Sequence, residues 1–379
     1  MVMASQVFSL SIHADYRCRH SGVCCGVGWD VPMELPVYRS LTEAVEQGRL
    51  RVAPGSEGLD PFVVDPALPE DAAAVFERND HGQCVFFDRE SRLCVVHRDL
   101  GEAALAATCR LFPRLAVQDA RGISMGLSHF CPTAASTLFR DDVPLTIVAS
   151  PPSFPPADYD GLTVTPDDLP PLLRPDMLMD LEGYAAWERH MVRRCADALE
   201  AGTAPEALLA TLARDARRLR AWRPGGASLA EAVAALPADV VPASAPESLD
   251  DSLAAFRNVM AAVPEDLKPA PDEQGLTEAY LHWVRPAWGA FAAPLTRYIA
   301  TKAFANWTSY QGRGVASIVR GIEAAVALVR VEASRQCRDA ARTLDRDLLL
   351  EAFRGADFAL NHLAVGDELA LGWKAAEEE

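Results

Sequence analysis

Hydrophobic positions in the second half of the chain recur at three-and-four spacing, the period of an amphipathic helix. The clearest case is one continuous apolar stripe through Val315, Ile318, Val319, Ile322, Val326 and Val329. The same spacing predicts further helices over residues 177–199, 205–222, 229–236, 249–263, 276–307 and 344–363. Proline-rich loops at residues 237–246 and 264–272 separate several of them. We therefore expect an all-α second half.

The first 131 residues show shorter patterns. Alternation at Phe8, Leu10 and Ile12 predicts a strand, and residues 34–47 and 101–111 have helical character. Apolar runs flank a polar turn near residues 89 and 90 and another at residues 119–122, and both pairs of runs predict hairpins. Short strands and helices in this mixture indicate a small, irregular α+β domain.

A proline-rich stretch over residues 150–175 divides the two patterns. Closely spaced prolines cannot sustain a helix or an inner strand. We therefore expect a first domain over residues 1–149, a linker over residues 150–175 and a helical domain over residues 176–379. The predicted fold class is mainly α.

Seven of the nine cysteines fall in the first domain, at Cys18, Cys24, Cys25, Cys84, Cys94, Cys109 and Cys131. Thiolates suit zinc, copper(I) and iron-sulfur iron. Four of them satisfy a tetrahedral zinc ion or a cubane cluster, so seven exceed one simple site. A second metal, exchange between ligands, or burial of some thiols would account for the surplus. The sequence therefore predicts a cysteine-cluster metal-binding domain followed by an all-α helical domain.

Local structure places some of these thiols. In the first predicted hairpin Cys84 and Cys94 should lie nearly opposite each other on one face. Cys24 and Cys25 are adjacent and should point to opposite sides of an extended chain, so one binds metal while the other packs or serves a second site. Histidines near the cysteines are candidates for minor ligands or for local hydrogen bonds, namely His20, His81, His97 and His129. Cys195 and Cys337 are isolated on helices, which predicts buried core positions.

Charge and hydropathy narrow the class of partners. The chain carries a formal net charge of -17 at pH 7, and Lys268, Lys302 and Lys374 are its only lysines. An acidic protein without a basic patch repels nucleic-acid phosphates and anionic membranes. The N-terminus lacks the pattern of a secretory signal, and charges interrupt the most apolar stretch, residues 315–331. We expect a cytoplasmic protein without nucleic-acid or membrane partners, in which reduced cysteines are available for metal.

Three motifs resemble the CxxCxxCC cysteine-cluster family, which is described as zinc- or iron-chelating. They are Cys18-x5-Cys24-Cys25, Cys84-x9-Cys94 and Thr108-Cys109-Arg110-Leu-Phe-Pro113-Arg114. Within this family, three further features resemble the flagellin lysine N-methylase branch: Trp29 after the double cysteine, the Cys131-Pro132 pair, and the helix over residues 295–304. The resemblance covers residues 16–132 and, more loosely, residues 270–365.

This resemblance implies an iron-sulfur protein with a 4Fe-4S cluster, or alternatively zinc, that transfers methyl groups from S-adenosylmethionine to lysine side chains of a flagellin-like protein. The chain departs from the family pattern because five residues and no cysteine separate Cys18 from Cys24. No Gly-x-Gly-x-x-Gly follows a strand, so the methyl donor would bind in a non-Rossmann manner. The catalytic residues and the donor site are not predicted. A non-catalytic metal binding or delivery protein, and a structural zinc site, remain open as alternatives.

Overall fold

The computed structural model describes residues 6–26, 31–64, 68, 72–155, 157, 159, 161–163, 171–270, 272–306, 309–310 and 314–369. In these ranges the chain is mainly α-helical with small sheets, which confirms the predicted class. The chain divides into two compact units. The smaller unit is Arg17–Arg114, and the larger unit combines Met1–Tyr16 with Leu115–Glu379. Trp29 lies outside the described residues.

The chain begins with two elements of the larger unit, strand β1 (Val7–Leu10) and a 3-10 turn (Ser11–His13). The smaller unit follows and consists of short helices and strands of two or three residues. The elements of the smaller unit are α1 (Val23–Gly26), β2 (Pro32–Met33), α2 (Leu35–Glu46), β3 (Phe62–Val63), β4 (Ala74–Phe76), β5 (Phe87–Asp88), β6 (Leu93–Cys94), α3 (Val95–Leu100) and α4 (Ala107–Leu111). Strands β2, β4 and β3 pair antiparallel in that order, and β5 pairs with β6.

The smaller unit has its own core, which includes Leu41, Phe76 and Phe86. Helix α2 confirms the helix predicted over residues 34–47. The helix predicted over residues 101–111 is instead a 3-10 turn (Glu102–Ala104) followed by α4. Leu105 and Ala106 between them are extended and buried in the core, because burial of both side chains outweighs continuation of the helix.

The larger unit begins with a mixed sheet. Its next elements are β7 (Arg114–Asp119), β8 (Gly122–Leu127), α5 (Pro132–Thr137), β9 (Ile147–Ala149), β10 (Gly161–Thr163), β11 (Leu172–Arg174) and β12 (Met177–Leu178). The five-stranded sheet has the order β10-β7-β8-β1-β9, in which β1 runs parallel to β8 and antiparallel to β9. Strand β1 and the β7–β8 hairpin were both predicted. The described part of the stretch predicted as a linker, residues 150–175, includes β10 at the sheet edge and β11, and both strands belong to the larger unit.

Helices pack on this sheet around a long central helix. They are α6 (Leu181–Ala201), α7 (Pro205–Arg220), α8 (Leu229–Ala234), α9 (Asp250–Ala261), α10 (Leu276–Ala279), α11 (Arg285–Trp288), α12 (Ala292–Ala303), α13 (Val315–Ala340) and α14 (Arg346–Phe358). The predicted stripe on α13 is buried, from Val315 to Val329. Between α10 and α12 the chain forms a π turn (Tyr280–Val284) and a 3-10 turn (Gly289–Phe291), where a single helix was predicted. Pro286 and Pro294 lack the amide hydrogen that a continuous helix needs.

In the part of the chain that the structure describes, every helix is too short or too polar to cross a membrane.

Candidate metal centre

A single helical turn presents the double cysteine. Gly22 has a φ of +75°, and a side chain there would come within 2.4 Å of the Phe87 ring, so only glycine fits. The amides of Cys25 and Gly26 donate to the Gly22 carbonyl, at 3.1 and 3.0 Å. The turn brings the Cys24 and Cys25 sulfurs to 3.9 Å from each other, where an extended chain was expected to separate them.

Two further segments of the smaller unit bring more sulfur to this turn. The Cys84 amide donates to the Cys25 carbonyl at 2.9 Å, which fixes the Cys84 backbone beside the double cysteine. The Cys25 thiol also lies within hydrogen-bond reach of the Cys94 sulfur. Cys109, on α4, interacts electrostatically with the thiols of Cys84, Cys94 and Cys24. We call these five residues, Cys24, Cys25, Cys84, Cys94 and Cys109, the sulfur cluster.

The predicted facing of Cys84 and Cys94 across a hairpin is wrong. Cys94 lies opposite Phe87, and Cys84 forms an isolated bridge with Arg78. The hairpin is shorter than the apolar pattern indicated, since the chain turns at Cys84 and begins pairing only at Phe87. Cys84 precedes this short hairpin and Cys94 is its last residue. Both belong to the sulfur cluster because both lie beside Cys25.

Backbone amides lie near two of the sulfurs. The Phe86 amide acts to lower the pKa of Cys84. Cys94 is the residue before α3, and the amides of Val96 and His97 act to lower its pKa, although its side chain does not cap the helix with a hydrogen bond. Amide donors favour the ionised form of an acid, which for cysteine is the metal-binding thiolate.

Burial opposes that ionisation. It raises the pKa of Cys84 to about 12 and the pKa of Cys109 well above its usual value. The hydrogen bond from Cys25 is the main reason that the pKa of Cys94 falls to about 7, and the two amides act in the same direction. Ionisation of several neighbouring thiols would need cations to balance the charge, and Arg78 beside Cys84 and Arg98 beside Cys94 favour it. A metal ion would supply further positive charge.

The donor set fits a metal-thiolate centre. Two thiolates of one tetrahedral zinc ion lie about 3.8 Å apart, given a Zn–S distance of about 2.3 Å. The 3.9 Å between Cys24 and Cys25 is close to that value. In a cubane cluster each thiolate binds a different iron, so only one of two adjacent cysteines would enter the ligand set. Among the described residues, no group of three or more His, Cys, Asp or Glu side chains is arranged to hold a metal ion as it stands. We therefore expect the thiol side chains to rotate on binding.

The two remaining predicted ligands have different surroundings. Cys18 is exposed, and its sulfur accepts a hydrogen bond from the His20 amide at 3.4 Å. Cys131 is buried in the larger unit, where its sulfur lies 3.5 Å from the Tyr16 hydroxyl. Cys195 and Cys337 are fully buried in the core of the larger unit, as predicted.

The larger unit contains a buried polar network that the sequence did not predict. Asp357 is fully buried and accepts hydrogen bonds from the backbone amide of His129 at 2.6 Å and from the Tyr298 hydroxyl at 2.7 Å. His129 Nδ1 lies 3.1 Å from the same carboxylate, and the Lys302 ammonium pairs with it. We call these residues, together with His13, the Asp357 network. The histidine considered as a minor metal ligand, His129, is thus committed to a carboxylate.

The charges of the Asp357 network compensate each other. Burial disfavours a charged Asp357, but the Lys302 ammonium and the His129 hydrogen bond hold the pKa of the carboxyl far below its usual range. Burial lowers the pKa values of His13 and His129, so both rings are neutral near pH 7. Because His129 Nδ1 faces a carboxylate it carries the hydrogen, and its Nε2 accepts from His13 Nε2, 3.3 Å away. The sequence singled out His129 as a candidate metal ligand and Lys302 as one of three lysines, but nothing in it indicated that they share a carboxylate.

Comparisons with protein-family models, with curated proteins and with solved structures found no match to this chain.

Proposed function

We propose that the smaller unit binds an iron-sulfur cluster, with zinc as the alternative metal, through four of the five sulfurs of the sulfur cluster. The observation that supports this most directly is the convergence of five thiols from four segments of the chain, with the Cys24 and Cys25 sulfurs 3.9 Å apart. The cluster would supply redox-active or Lewis-acidic iron at this site.

For a cubane cluster the proposed ligands are Cys84, Cys94, Cys109 and one residue of the Cys24–Cys25 pair, whereas a zinc ion would use both residues of the pair and two of the other three. The first three come from separate segments of the smaller unit, so the bound metal would crosslink those segments. The second member of the pair and the exposed Cys18 are then surplus thiols.

The resemblance extends the proposal to protein lysine N-methylation. A methyl group would pass from the sulfonium of S-adenosylmethionine to a lysine amine of a flagellin-like protein, leaving S-adenosylhomocysteine and a proton. The amine must be neutral to attack, because an ammonium has no lone pair. The helix that carries this part of the resemblance is α12, whose Tyr298 and Lys302 both contact the buried Asp357. Its buried polar contacts are a reason to test the larger unit for donor binding.

A metal-delivery protein is the second candidate. Five thiols converge where four suffice, and the exposed Cys18 offers a further sulfur. Transfer of a metal requires an incoming ligand before an outgoing one leaves, and surplus thiols serve that exchange.

The first experiment is purification of the full chain without oxygen, followed by analysis of iron, acid-labile sulfide and zinc and by an absorption spectrum. The proposal predicts about four irons and four sulfides per chain. Serine at Cys84, Cys94 or Cys109 should abolish binding, whereas Cys337→Ala, a buried thiol of α13, should retain full metal content. A chain that holds neither iron nor zinc, or that loses metal equally in the Cys337→Ala variant, would overturn the proposal.

The single variants Cys24→Ser and Cys25→Ser distinguish an iron-sulfur cluster from a zinc ion. A cubane should survive one of them, and a zinc ion bound by both sulfurs should be lost in each.

Calorimetry with S-adenosylmethionine and mass spectrometry of a flagellin incubated with the holoprotein then test methylation. Donor binding with methyl incorporation supports the methylase, and loss of metal to an apo-acceptor protein without donor binding supports delivery.

A further inference from the structure

The outer edge of the five-stranded sheet opens onto a groove of about 480 Å³ in the larger unit. Strand β9, helix α6 and helix α8 form its walls, with apolar side chains that include Leu145, Ile147, Val192 and Val233. Its polar lining includes Arg189, His190 and Arg193, all on α6. The lining contains no Asp or Glu among the described residues, in a chain whose net charge is -17.

The backbone of β9 has one side available for pairing. The Ser11 amide donates to Thr146, and the Ser150 amide donates to Val7, which sets the antiparallel register with β1. In that register the amide and carbonyl groups of Ile147 and Ala149 point away from β1. Strand β9 is the last strand of the sheet in the described ranges, and Ile147 lines the groove beside it. An edge of this kind is a template for another strand.

The two arginines of the groove lack carboxylate partners among the described residues, unlike Arg194 and Arg214 nearby. Arg189 and Arg193 are both exposed and stand one helical turn apart, so their charges repel each other. Arg189 forms no hydrogen bond or ion pair with any residue that the structure describes. Arg193 donates only to His190 Nδ1, at 3.2 Å. An anion placed between the two guanidinium groups would relieve the repulsion.

A contact with the buried His190 also holds the Arg193 side chain in position. The buried His190 donates from Nε2 to the fully buried Asp215, at 2.9 Å, which fixes the ring so that Nδ1 accepts from Arg193. Asp215 is compensated by Arg194 and Arg214, so its charge does not cancel that of Arg193. The chain of contacts from Asp215 through His190 orients one guanidinium at the groove before any ligand arrives.

We propose that this groove binds an extended acidic peptide segment of a partner protein, which adds a strand to β9. Alternate side chains of an extended peptide point in opposite directions. One set would place carboxylates on Arg189 and Arg193, and the other would set small apolar side chains against Ile147 and Val192. Backbone pairing supplies affinity and the side-chain alternation supplies specificity. This inference does not depend on the metal centre or on methylation.

The test measures fluorescence anisotropy of a labelled heptapeptide in which Asp alternates with Val and Thr, added to the full chain. Binding should weaken at least tenfold in the double variant Arg189→Glu/Arg193→Glu and should persist in Arg218→Glu, an exposed arginine of α7 outside the groove. The matched peptide with Lys in place of Asp should bind the double variant better than the original chain. Equal binding of both peptides, or equal loss in Arg218→Glu, would overturn the proposal.

Strand addition is tested separately from charge. A peptide with methylated amide nitrogens on the pairing side keeps its carboxylates but cannot pair, and it should lose most of its affinity. The variant Ala149→Pro removes one outward amide and should act in the same direction if its circular dichroism matches that of the original chain. Decanoate is the probe for a simple amphiphilic anion. Decanoate binding that needs both arginines, together with unchanged binding of the methylated peptide, overturns strand addition.

Discussion

The five thiols of the sulfur cluster are half-buried, whereas Asp357 and His129 are fully buried, and the charge of the Asp357 network is the more completely compensated of the two. Asp357 has an ammonium and three other donors around one carboxylate. The sulfur cluster has five thiols, and two arginines favour their ionised forms: Arg78 beside Cys84 and Arg98 beside Cys94, of which Arg98 is itself paired with Asp88 and Asp99. A network complete in itself stabilises a fold, whereas an incomplete one indicates a missing ligand.

Metal removal should produce the largest difference between the two regions. Chelation of the anaerobically purified protein should lower the free energy of unfolding of the smaller unit by several kcal/mol, because a metal that crosslinks separate segments contributes to folding directly. Hydrogen exchange should accelerate over residues 84–111 and stay slow in α13. Uniform acceleration in both units would contradict the comparison, and Cys337→Ala with its metal retained serves as the control.

The variant Asp357→Ala should have the next largest effect, confined to the larger unit. It leaves the Lys302 charge, the Tyr298 hydroxyl and the His129 amide without their common partner. Removal of one partner of a buried ion pair costs about 3 to 5 kcal/mol. Urea denaturation measures this loss, and Asp239→Ala, an exposed carboxylate paired with Arg214, should change stability little. Metal content should stay normal in both variants, and a loss of metal in Asp357→Ala would show that the regions are not independent.

A substitution in the turn that carries the double cysteine should have a smaller effect on stability. Gly22 and Gly48 both have φ near +70°, so alanine at either position costs about 1 kcal/mol in backbone strain. Only Gly22→Ala also drives a methyl group into the Phe87 ring, since Gly48 faces open space. We expect Gly22→Ala to lose about 1 to 3 kcal/mol more than Gly48→Ala and to bind less metal. Equal stability and metal content of the two variants would argue against the described geometry.

The pH dependence of the free energy of unfolding should be the smallest of these effects, and it should arise from histidines of the larger unit. Burial lowers the pKa of His362 to about 4 from the usual 6.5. The unfolded chain therefore takes up a proton near pH 6.5, while the folded chain takes it up only near pH 4. Stability present above pH 6.5 is lost as the pH falls toward 4, with a slope of up to about 1.4 kcal/mol per pH unit for each such histidine. Urea midpoints of the original chain and of His362→Gln at pH 7 and pH 5 measure this slope, which should be shallower in the variant.

An unchanged slope in His362→Gln would assign the pH dependence to other groups. His13 and His129 shift in the same direction and remain in that variant, so a residual slope is expected.

Local patterns in the sequence predicted those parts of the molecule whose residues are close together in the chain. The period of the apolar stripe on α13 and the alternation in β1 are local properties, and both elements formed as expected. Cysteine density pointed to the first part of the chain, but it did not indicate which of the seven cysteines lie together, since the members of the sulfur cluster come from separate segments. The facing of Cys84 and Cys94 failed because it depended on where pairing begins, and hairpin ends are set by competing backbone hydrogen bonds rather than by the apolar pattern.

The Asp357 network could not be predicted in this way. Its members come from a turn after β1, a loop after β8, α12 and α14, and each taken alone is an ordinary polar residue. Packing of those elements excludes water and turns the residues into one network. The interruptions between α10 and α12 are similar, because proline positions were visible but the π turn that accommodates them depends on neighbouring helices.

The larger unit is assembled from two stretches of chain that flank the smaller one. Strand β1 is synthesised before the smaller unit, and its partners β8 and β9 follow only after the whole of that unit. The smaller unit is continuous in sequence and can complete its contacts first, since domains fold as units during synthesis. A metal could therefore bind the nascent chain before β1 has paired with β8 and β9. The order of translation would then place metal binding before the folding of the larger unit.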